Sequence, residues 1–225
     1  MKMKYLFYFA VLGLASCAPS TFVKPLEKGQ YAATANLGGP LIGFAGTTIP
    51  VPMTGLAVGY GATEKTTAFA RIHTTSALFG VAQLELGATH QFADSRGWVP
   101  GFSASAQAHF MFDRWEHNFR FYPQVDLNAF WNLGKEETNN PKDFVYLGAS
   151  NWLELRKIGT GGRAQETNLL PAIHGGYTLV KEKYNYALEC KYIAPFTSNQ
   201  SLVADYKSPS NNGAIGVYFS ITRKF

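Results

Sequence analysis

Alternation of apolar and polar positions runs through most of the chain after residue 28. The clearest case is 101–113, where every second residue is phenylalanine or alanine and those between are mostly serine, glutamine or histidine. Such a period of two is typical of a β-strand with one apolar and one polar face. The same alternation recurs in 80–93, 117–133 and 212–225. The pattern therefore predicts an all-β protein.

Ten segments carry this alternation, and turn sequences such as Asp94-Ser95-Arg96-Gly97 separate them. The predicted strands are 29–38, 54–63, 66–75, 80–93, 100–113, 117–133, 142–156, 168–180, 184–196 and 212–225. Most are close to the ~9–11 residues with which a tilted strand crosses a bilayer. We predict a single antiparallel up-and-down β-barrel of about ten strands. Eight is the fallback, because 29–38 and 66–75 alternate least clearly.

The start of the chain has the form of an export signal. Two lysines precede an apolar run that ends at Leu14 and is too short to span a membrane. The residues that follow, Leu14-Ala15-Ser16-Cys17, resemble the lipobox of bacterial lipoproteins, in which the cysteine is acylated with fatty acids such as palmitate. The resemblance implies cleavage before Cys17 and a lipid anchor there. The alternative is an ordinary signal peptide that contains a chance cysteine.

These signals divide the chain into three predicted segments. Residues 1–16 form a lipoprotein signal peptide, 17–28 a lipid-anchored tether with two prolines and no clear period, and 29–225 the β-barrel domain. With Cys17 acylated, Cys190 has no partner, so no disulfide is expected. The tether and barrel together are long enough for one domain.

The last strand has a second signature. Phe219, Ile221 and the terminal Phe225 share its apolar face, and this arrangement resembles the C-terminal assembly signal of inserted barrels. Together with the alternation and the signal segment, it makes the chain similar to small bacterial outer-membrane β-barrel proteins, although no motif identifies a named family. The resemblance implies the outer membrane of a Gram-negative-type bacterium, contact with outer-membrane lipid and with the barrel-assembly machinery, and room for other envelope proteins. The lipobox is a departure, because most such barrels are not acylated.

If the apolar face meets lipid, the polar face lines the lumen. The predicted polar network there consists of Arg71, Glu85, His109, Arg120, Asp126, Glu189 and Lys191. Buried charges must be paired, and small barrels fill their interiors with side chains. We therefore expect the three basic residues to balance the three carboxylates. A functional pathway through the lumen is the alternative.

Aromatic residues cluster near the ends of the predicted strands, which fits the interfacial girdles of membrane barrels and also the core of a soluble barrel or sandwich. They are Tyr31, Phe92, Trp98, Phe112, Trp115, Phe121, Tyr122, Trp131, Phe144, Tyr146, Tyr184, Tyr186 and Tyr192. The predicted first outer loop, 39–53, is unusually apolar. Two interpretations remain open: it folds into the barrel mouth or meets a partner, or it packs locally over the rim.

Little in the sequence points to catalysis or to a cofactor. The five histidines match no motif of the outer-membrane enzymes, and Ser105 with His109 or Glu116-His117 are the nearest approaches to a dyad. No two His or Cys lie at ligand spacing, so no metal or cofactor is expected. The net charge of +5 includes two lysines of the signal, and no basic run or nucleic-acid motif is present. Nucleic acid is therefore not an expected partner.

Three functional hypotheses follow. The first is a lipid-anchored integral outer-membrane barrel with a non-catalytic role, as a structural element, a narrow channel or part of an envelope complex. The second is a soluble, periplasm-facing barrel lipoprotein whose apolar face points inward and binds a hydrophobic ligand. The third is an outer-membrane lipid-modifying enzyme with a histidine and an acid or serine at one rim. Which face of the strands is exposed distinguishes the first two hypotheses.

Overall fold

The computed structural model describes residues 18–115, 117–134, 143–155, 168–199 and 205–225. They form a short helix α1 (Thr74–Leu78), a 3₁₀ turn (Pro209–Asn211) and eleven β-strands. The strands are β1 (Tyr31–Phe44), β2 (Thr47–Pro50), β3 (Thr54–Thr63), β4 (Thr66–His73), β5 (Val81–Ala93), β6 (Gly101–Asp113), β7 (Asn118–Asn132), β8 (Phe144–Leu153), β9 (Leu169–Val180), β10 (Tyr184–Ser198) and β11 (Asn212–Lys224). No helix in these ranges is long and apolar enough to cross a membrane.

Ten of the strands close into an antiparallel barrel. Each pairs with its neighbours in the chain, and β1 pairs with β3 on one side and with β11 on the other. Closure pairs the first and last barrel strands with each other. The extra strand, β2, pairs with Leu41–Phe44 at the far end of β1. The predicted all-β, up-and-down barrel of about ten strands is confirmed.

The ten predicted segments correspond to the ten barrel strands in order. The largest difference is in the first strand, which continues to Phe44 instead of ending at 38. The reason is the hairpin with β2, which pairs the additional residues of β1 beyond the barrel. The fourth strand ends at His73, earlier than predicted, because α1 begins at Thr74.

The apolar face of the barrel is its exterior. In β7, Leu127 is 56% exposed whereas its neighbour Asp126 is 1% exposed, and in β10 Leu188 is 57% exposed whereas Glu189 is 2% exposed. The same alternation holds along the other long strands. This orientation is that of a membrane barrel with a polar lumen. It is the reverse of what the soluble barrel with an apolar cavity requires.

The segment predicted as a tether packs inside the barrel. Its end joins the rim where β1 begins, through bonds from Gly29 N–H to Gly61 O (2.8 Å) and from Gly61 N–H to Gln30 O (2.9 Å). Further in, Leu26 N–H donates to Thr67 Oγ1 (2.7 Å). Residues 18–28 therefore run from this rim up into the lumen, and we call them the plug segment. The rim that holds both chain ends is called the periplasmic end and the opposite rim the outer end, as the predicted anchor at Cys17 requires.

Some of the aromatic residues expected in the girdles line the lumen instead. Tyr122, Phe144 and Tyr146 are buried, so their assignment to the girdles was wrong. Strand alternation turns all three inward. Phe144 and Tyr146 pack with Phe130 against Val23 of the plug segment. The aromatic residues at the periplasmic end thus hold the plug segment rather than a lipid headgroup.

The apolar segment 39–53 has two parts. Its first part forms the hairpin of β1 and β2 beyond the barrel. Its end turns into the mouth, where Met53 packs against Ala172 and Ile193 on the inner face of β9 and β10. The N–H of Gly38 donates to the Met53 carbonyl (3.0 Å) and holds this turn. The structure thus favours folding into the mouth, which narrows the outer opening.

Asp143 joins two strands at the periplasmic end. Its carboxylate accepts hydrogen bonds from the N–H of Val180 and the hydroxyl of Tyr177, both at 2.7 Å. Both bonds favour the charged form and hold the pKa of Asp143 below its usual range. The start of β8 is thereby fixed against the end of β9.

The exterior generates a test of membrane insertion. Leu127→Arg should lower the free energy of unfolding of the vesicle-inserted barrel by about 2–4 kcal/mol, because it places a guanidinium in hydrocarbon. Urea titration followed by tryptophan fluorescence measures the loss. Leu127→Ala is the control and should cost less. Equal stability of the Arg and Ala variants would mean that this face is in water.

Candidate functional site

A row of polar residues crosses three neighbouring strands in the lumen. The register places Arg71 of β4 opposite Glu85 of β5, and Glu85 opposite His109 of β6. His73 lies two positions beyond Arg71 on the same inward face. Glu85 Oε2 is 3.2 Å from a terminal guanidinium nitrogen (Nη1) of Arg71, 3.4 Å from His73 Nε2 and 3.9 Å from His109 Nδ1. All four side chains are buried, and we call them the Glu85 cluster.

A hydrogen-bonded chain fixes the orientation of His109. Asp126 accepts one bond from Gln124 Nε2 and one from Gln107 Nε2, both at 2.7 Å. The amide of Gln124 therefore presents its oxygen to His109 Nε2 at 3.1 Å, and that nitrogen donates. With the ring hydrogen on Nε2, the lone pair of Nδ1 in the neutral ring faces Glu85.

A second buried carboxylate, Glu189, joins the barrel wall to the plug segment. It accepts a bond from the Tyr146 hydroxyl (2.9 Å) and from the N–H of Ser20 (3.1 Å to Oε2). Lys191 Nζ is 3.8 Å from Glu189 Oε1 and donates to the carbonyl of Ala18 (2.8 Å). The tip of the plug segment is thus bound through its backbone.

Arg71 binds the plug segment from the opposite wall. Its guanidinium donates to the carbonyl of Pro19 (3.0 Å) and to the hydroxyl of Thr21, while it also pairs with Glu85. Ser103 Oγ donates to the carbonyl of Val23 (2.6 Å) closer to the rim. The plug segment therefore supplies acceptors to two buried cations and to a wall hydroxyl.

The charges at the middle of the lumen do not balance. Arg71 and Lys191 contribute +2, and Glu85, Asp126 and Glu189 contribute −3, so these five residues sum to −1. Asp126 lies in the electrostatic field of both Lys191 and Glu85. With all five residues ionised and the lumen histidines neutral, this layer has an excess of one negative charge, which favours an additional cation.

The structure places the predicted site residues in different regions. Six of the seven predicted lumen residues lie in the Glu85 cluster, in the hydrogen-bonded chain from Asp126 to His109, or in the pair of Glu189 and Lys191. Arg120 lies half-buried toward the outer end of β7, where it donates to the Tyr122 hydroxyl (3.3 Å). The residues of the C-terminal signal are exposed and lie at the end of the chain; they are Phe219, Ile221 and Phe225. Cys17 lies outside the described residues.

Sequence reasoning missed two contributors. Gln124 was visible as an inward-facing residue by its alternation, but an uncharged amide gave no reason to single it out. The plug segment gave no signal, because its partners are scattered over several strands. The Ser105–His109 dyad does not form, since Ser105 Oγ bonds to Thr89 Oγ1 (2.7 Å). His117 is exposed in a turn, and Glu116 lies outside the described residues.

Comparisons with known proteins give a similarity of fold. No family model and no curated protein matches the chain. Among solved structures it is similar to the N-terminal β-barrel domain of Pseudomonas aeruginosa OprF, at 10% identity and TM-score 0.34, over 89% of this chain and 100% of that one. It is also similar to an outer membrane channel from Pseudomonas putida F1, at 10% identity and TM-score 0.46, over 92% and 100%. The NanC porin matches at 6% identity and TM-score 0.42, over 87% and 98%.

The buried pair generates a stability test. Glu85→Gln should lower the free energy of unfolding by about 3–5 kcal/mol, because it leaves the Arg71 charge buried without its counter-ion. Urea unfolding in detergent micelles measures this. The control is Asp94→Asn, which removes the exposed partner of Lys65 (3.6 Å) and should cost under about 1 kcal/mol. Similar small losses for both would mean that lumen water solvates Arg71.

Proposed function

We propose that this protein is an integral outer-membrane β-barrel that forms a narrow channel with two states: the docked N-terminal segment closes it, and lipid at Cys17 anchors the protein with that segment withdrawn. Its role is non-catalytic. The observation that carries the proposal is the plug segment, which occupies the lumen of a barrel whose exterior is apolar.

Membrane insertion is supported by the surface of the barrel. Large apolar side chains are exposed on the outside of successive strands, and they include Leu56, Val58, Leu86, Leu127, Leu147, Ile173 and Leu188. A continuous apolar exterior of this kind is stable in hydrocarbon and aggregates in water. The exposed, C-terminal Phe225 agrees with recognition of the last strand by the barrel-assembly machinery, which we propose as a partner.

Closure by the plug segment is supported by its bonds. Between Ala18 and Leu26 it is held by Lys191, Arg71, Ser103 and Thr67 from different sides of the lumen. A cavity of about 320 Å³ remains between the plug segment and the wall. The plug segment therefore fills only part of the lumen, and its removal would leave a wider polar path.

The lipid anchor and the docked plug segment exclude each other. Ala18 is bound in the polar middle of the lumen, and Cys17 immediately precedes it in the sequence. Acyl chains on Cys17 require hydrocarbon, which this lumen does not offer. The twelve peptide units from Cys17 to Gly29 extend to about 40 Å. This is enough for acylated Cys17 to reach the inner leaflet from the rim once the plug segment has left the lumen. Acylation would therefore favour the open channel.

Conductance tests this function. In planar bilayers, refolded 18–225 should give no channel steps, because the unacylated plug segment stays docked. Refolded 29–225, which keeps every barrel strand, should give discrete steps, and so should the acylated protein extracted from membranes. Silence of 29–225 would show that the wall side chains alone fill the lumen. Silence of the acylated protein alone would show that lipid does not withdraw the plug segment.

Metabolic labelling tests the anchor. Cells that express the full chain and are grown with labelled palmitate should incorporate label into the wild-type protein, and Cys17→Ser should abolish it. Cys190→Ser is the matched control, because Cys190 is a free, exposed thiol on the barrel exterior, and it should keep the label. Label retained in Cys17→Ser would place the acyl chain elsewhere.

A further inference from the structure

We propose that the lumen wall binds one divalent transition-metal ion through His73 Nε2, the carboxylate of Glu85 and His109 Nδ1. The three ligand atoms lie within 4.8 Å of one another. They come from three adjacent strands, so the register of the barrel brings them together. No sequence motif does so.

The spacing is close to that of a metal site. Ligands about 2.1 Å from a tetrahedral zinc ion stand about 3.4 Å apart. Here His73 Nε2 is 3.4 Å and His109 Nδ1 is 3.9 Å from Glu85 Oε2. The remaining pair, His73 Nε2 and His109 Nδ1, lies within 4.8 Å.

Among the three proposed ligand residues, two atoms are buried and lack hydrogen-bond partners within the described part of the chain. They are Glu85 Oε1 and His109 Nδ1. Because Gln124 holds the hydrogen of His109 on Nε2, the Nδ1 lone pair faces a carboxylate, and two acceptors oppose each other. A metal ion between His109 Nδ1 and the carboxylate of Glu85 replaces this repulsion with coordination.

The surroundings have the form of a second coordination shell. Metal-bound histidines usually donate their other N–H to a carbonyl or carboxylate, which fixes the ring. His109 donates in this way to Gln124, and Asp126 in turn holds the Gln124 amide. These hydrogen bonds orient the ring of His109 with Nδ1 toward Glu85.

The charge balance agrees with a cation despite the nearby Arg71. The five charged residues at the middle of the lumen sum to −1. A divalent ion changes the sum to +1, and ionisation of a metal-bound water brings it to zero. Imidazole and carboxylate donors without thiolate suit Zn²⁺ and its neighbours in the transition series, rather than Ca²⁺ or Mg²⁺.

A cleft in the barrel wall has one of the three proposed ligands, His73, in its lining. The cleft, of about 480 Å³, lies where β4 and β5 separate beyond the Ile72–Leu84 pair, and His73, Gln83 and Met111 line its inner side. Both polar atoms of the Gln83 side chain are buried and lack partners within the described residues. Gln83 lies two positions before Glu85 on the inward face of β5.

Zinc binding to the full-length mature protein tests the proposal. The tag-free protein is extracted from membranes, stripped with EDTA, and titrated with Zn²⁺ against a chromophoric chelator. We expect one ion per chain at micromolar or lower concentration. His73→Gln and His109→Gln should abolish binding, and Gln124→Leu should weaken it by about 10–100-fold.

His174→Gln is the matched control. His174 is also a buried lumen histidine with a side-chain acceptor, Asn128 Oδ1 at 2.7 Å, but it is not part of the cluster. Its variant should bind as the wild type does. Each variant is checked for folding by its migration on a gel without boiling.

Two results would overturn the proposal: a wild-type protein that binds no zinc, or His73→Gln and His109→Gln proteins that bind it unchanged. If these variants do not fold, X-ray absorption at the zinc edge of the wild-type protein decides. Two imidazoles in the coordination shell support the site, and none excludes it. The ligands lie on wall strands, so this result is independent of whether the channel conducts.

Discussion

The buried ion pair between Arg71 and Glu85 connects the parts of this structure. Arg71 binds the plug segment through Pro19 and Thr21, and it pairs across strands with Glu85. Glu85 in turn faces His73 and His109. A buried charge of this kind is stable in the lumen only with its partner. The strand register that places Arg71 opposite Glu85 therefore also determines where the plug segment ends and where the two histidines lie.

The bonds that hold the tip of the plug segment suit a reversible contact. Lys191 and Arg71 bind the carbonyls of Ala18 and Pro19, and Glu189 binds the N–H of Ser20. Water offers the same hydrogen bonds to these backbone groups, so the net contribution of each is modest. The wall cations keep their carboxylate partners after the segment leaves. Withdrawal therefore leaves no charge of the wall without a partner. The closed sheet of the barrel does not depend on the plug segment.

The sequence predicted the wall well and the interior contacts poorly. Alternation in segments such as 101–113 fixes which side chains face inward, because a strand has a strict period of two, and turn residues place the strand ends. This was enough to choose Glu85, His109 and Lys191 as lumen residues. It could not place Tyr146 beside Glu189, nor bring His73 next to His109, because both depend on cross-strand register. The contacts of the plug segment could not be predicted, because a segment without hydrophobic periodicity gives no indication of the strands that it packs against.

The two proposals bear on one another through charge. The middle of the lumen sums to −1 without a metal ion, and to zero with a divalent ion whose bound water is ionised. The plug segment bonds to this layer through uncharged groups, so its withdrawal leaves that sum unchanged. In the open channel the charge of the narrow, low-dielectric layer then depends on the ion alone, and a negative layer favours cations. The plug segment would decide whether the lumen conducts, and the metal ion whether it favours cations.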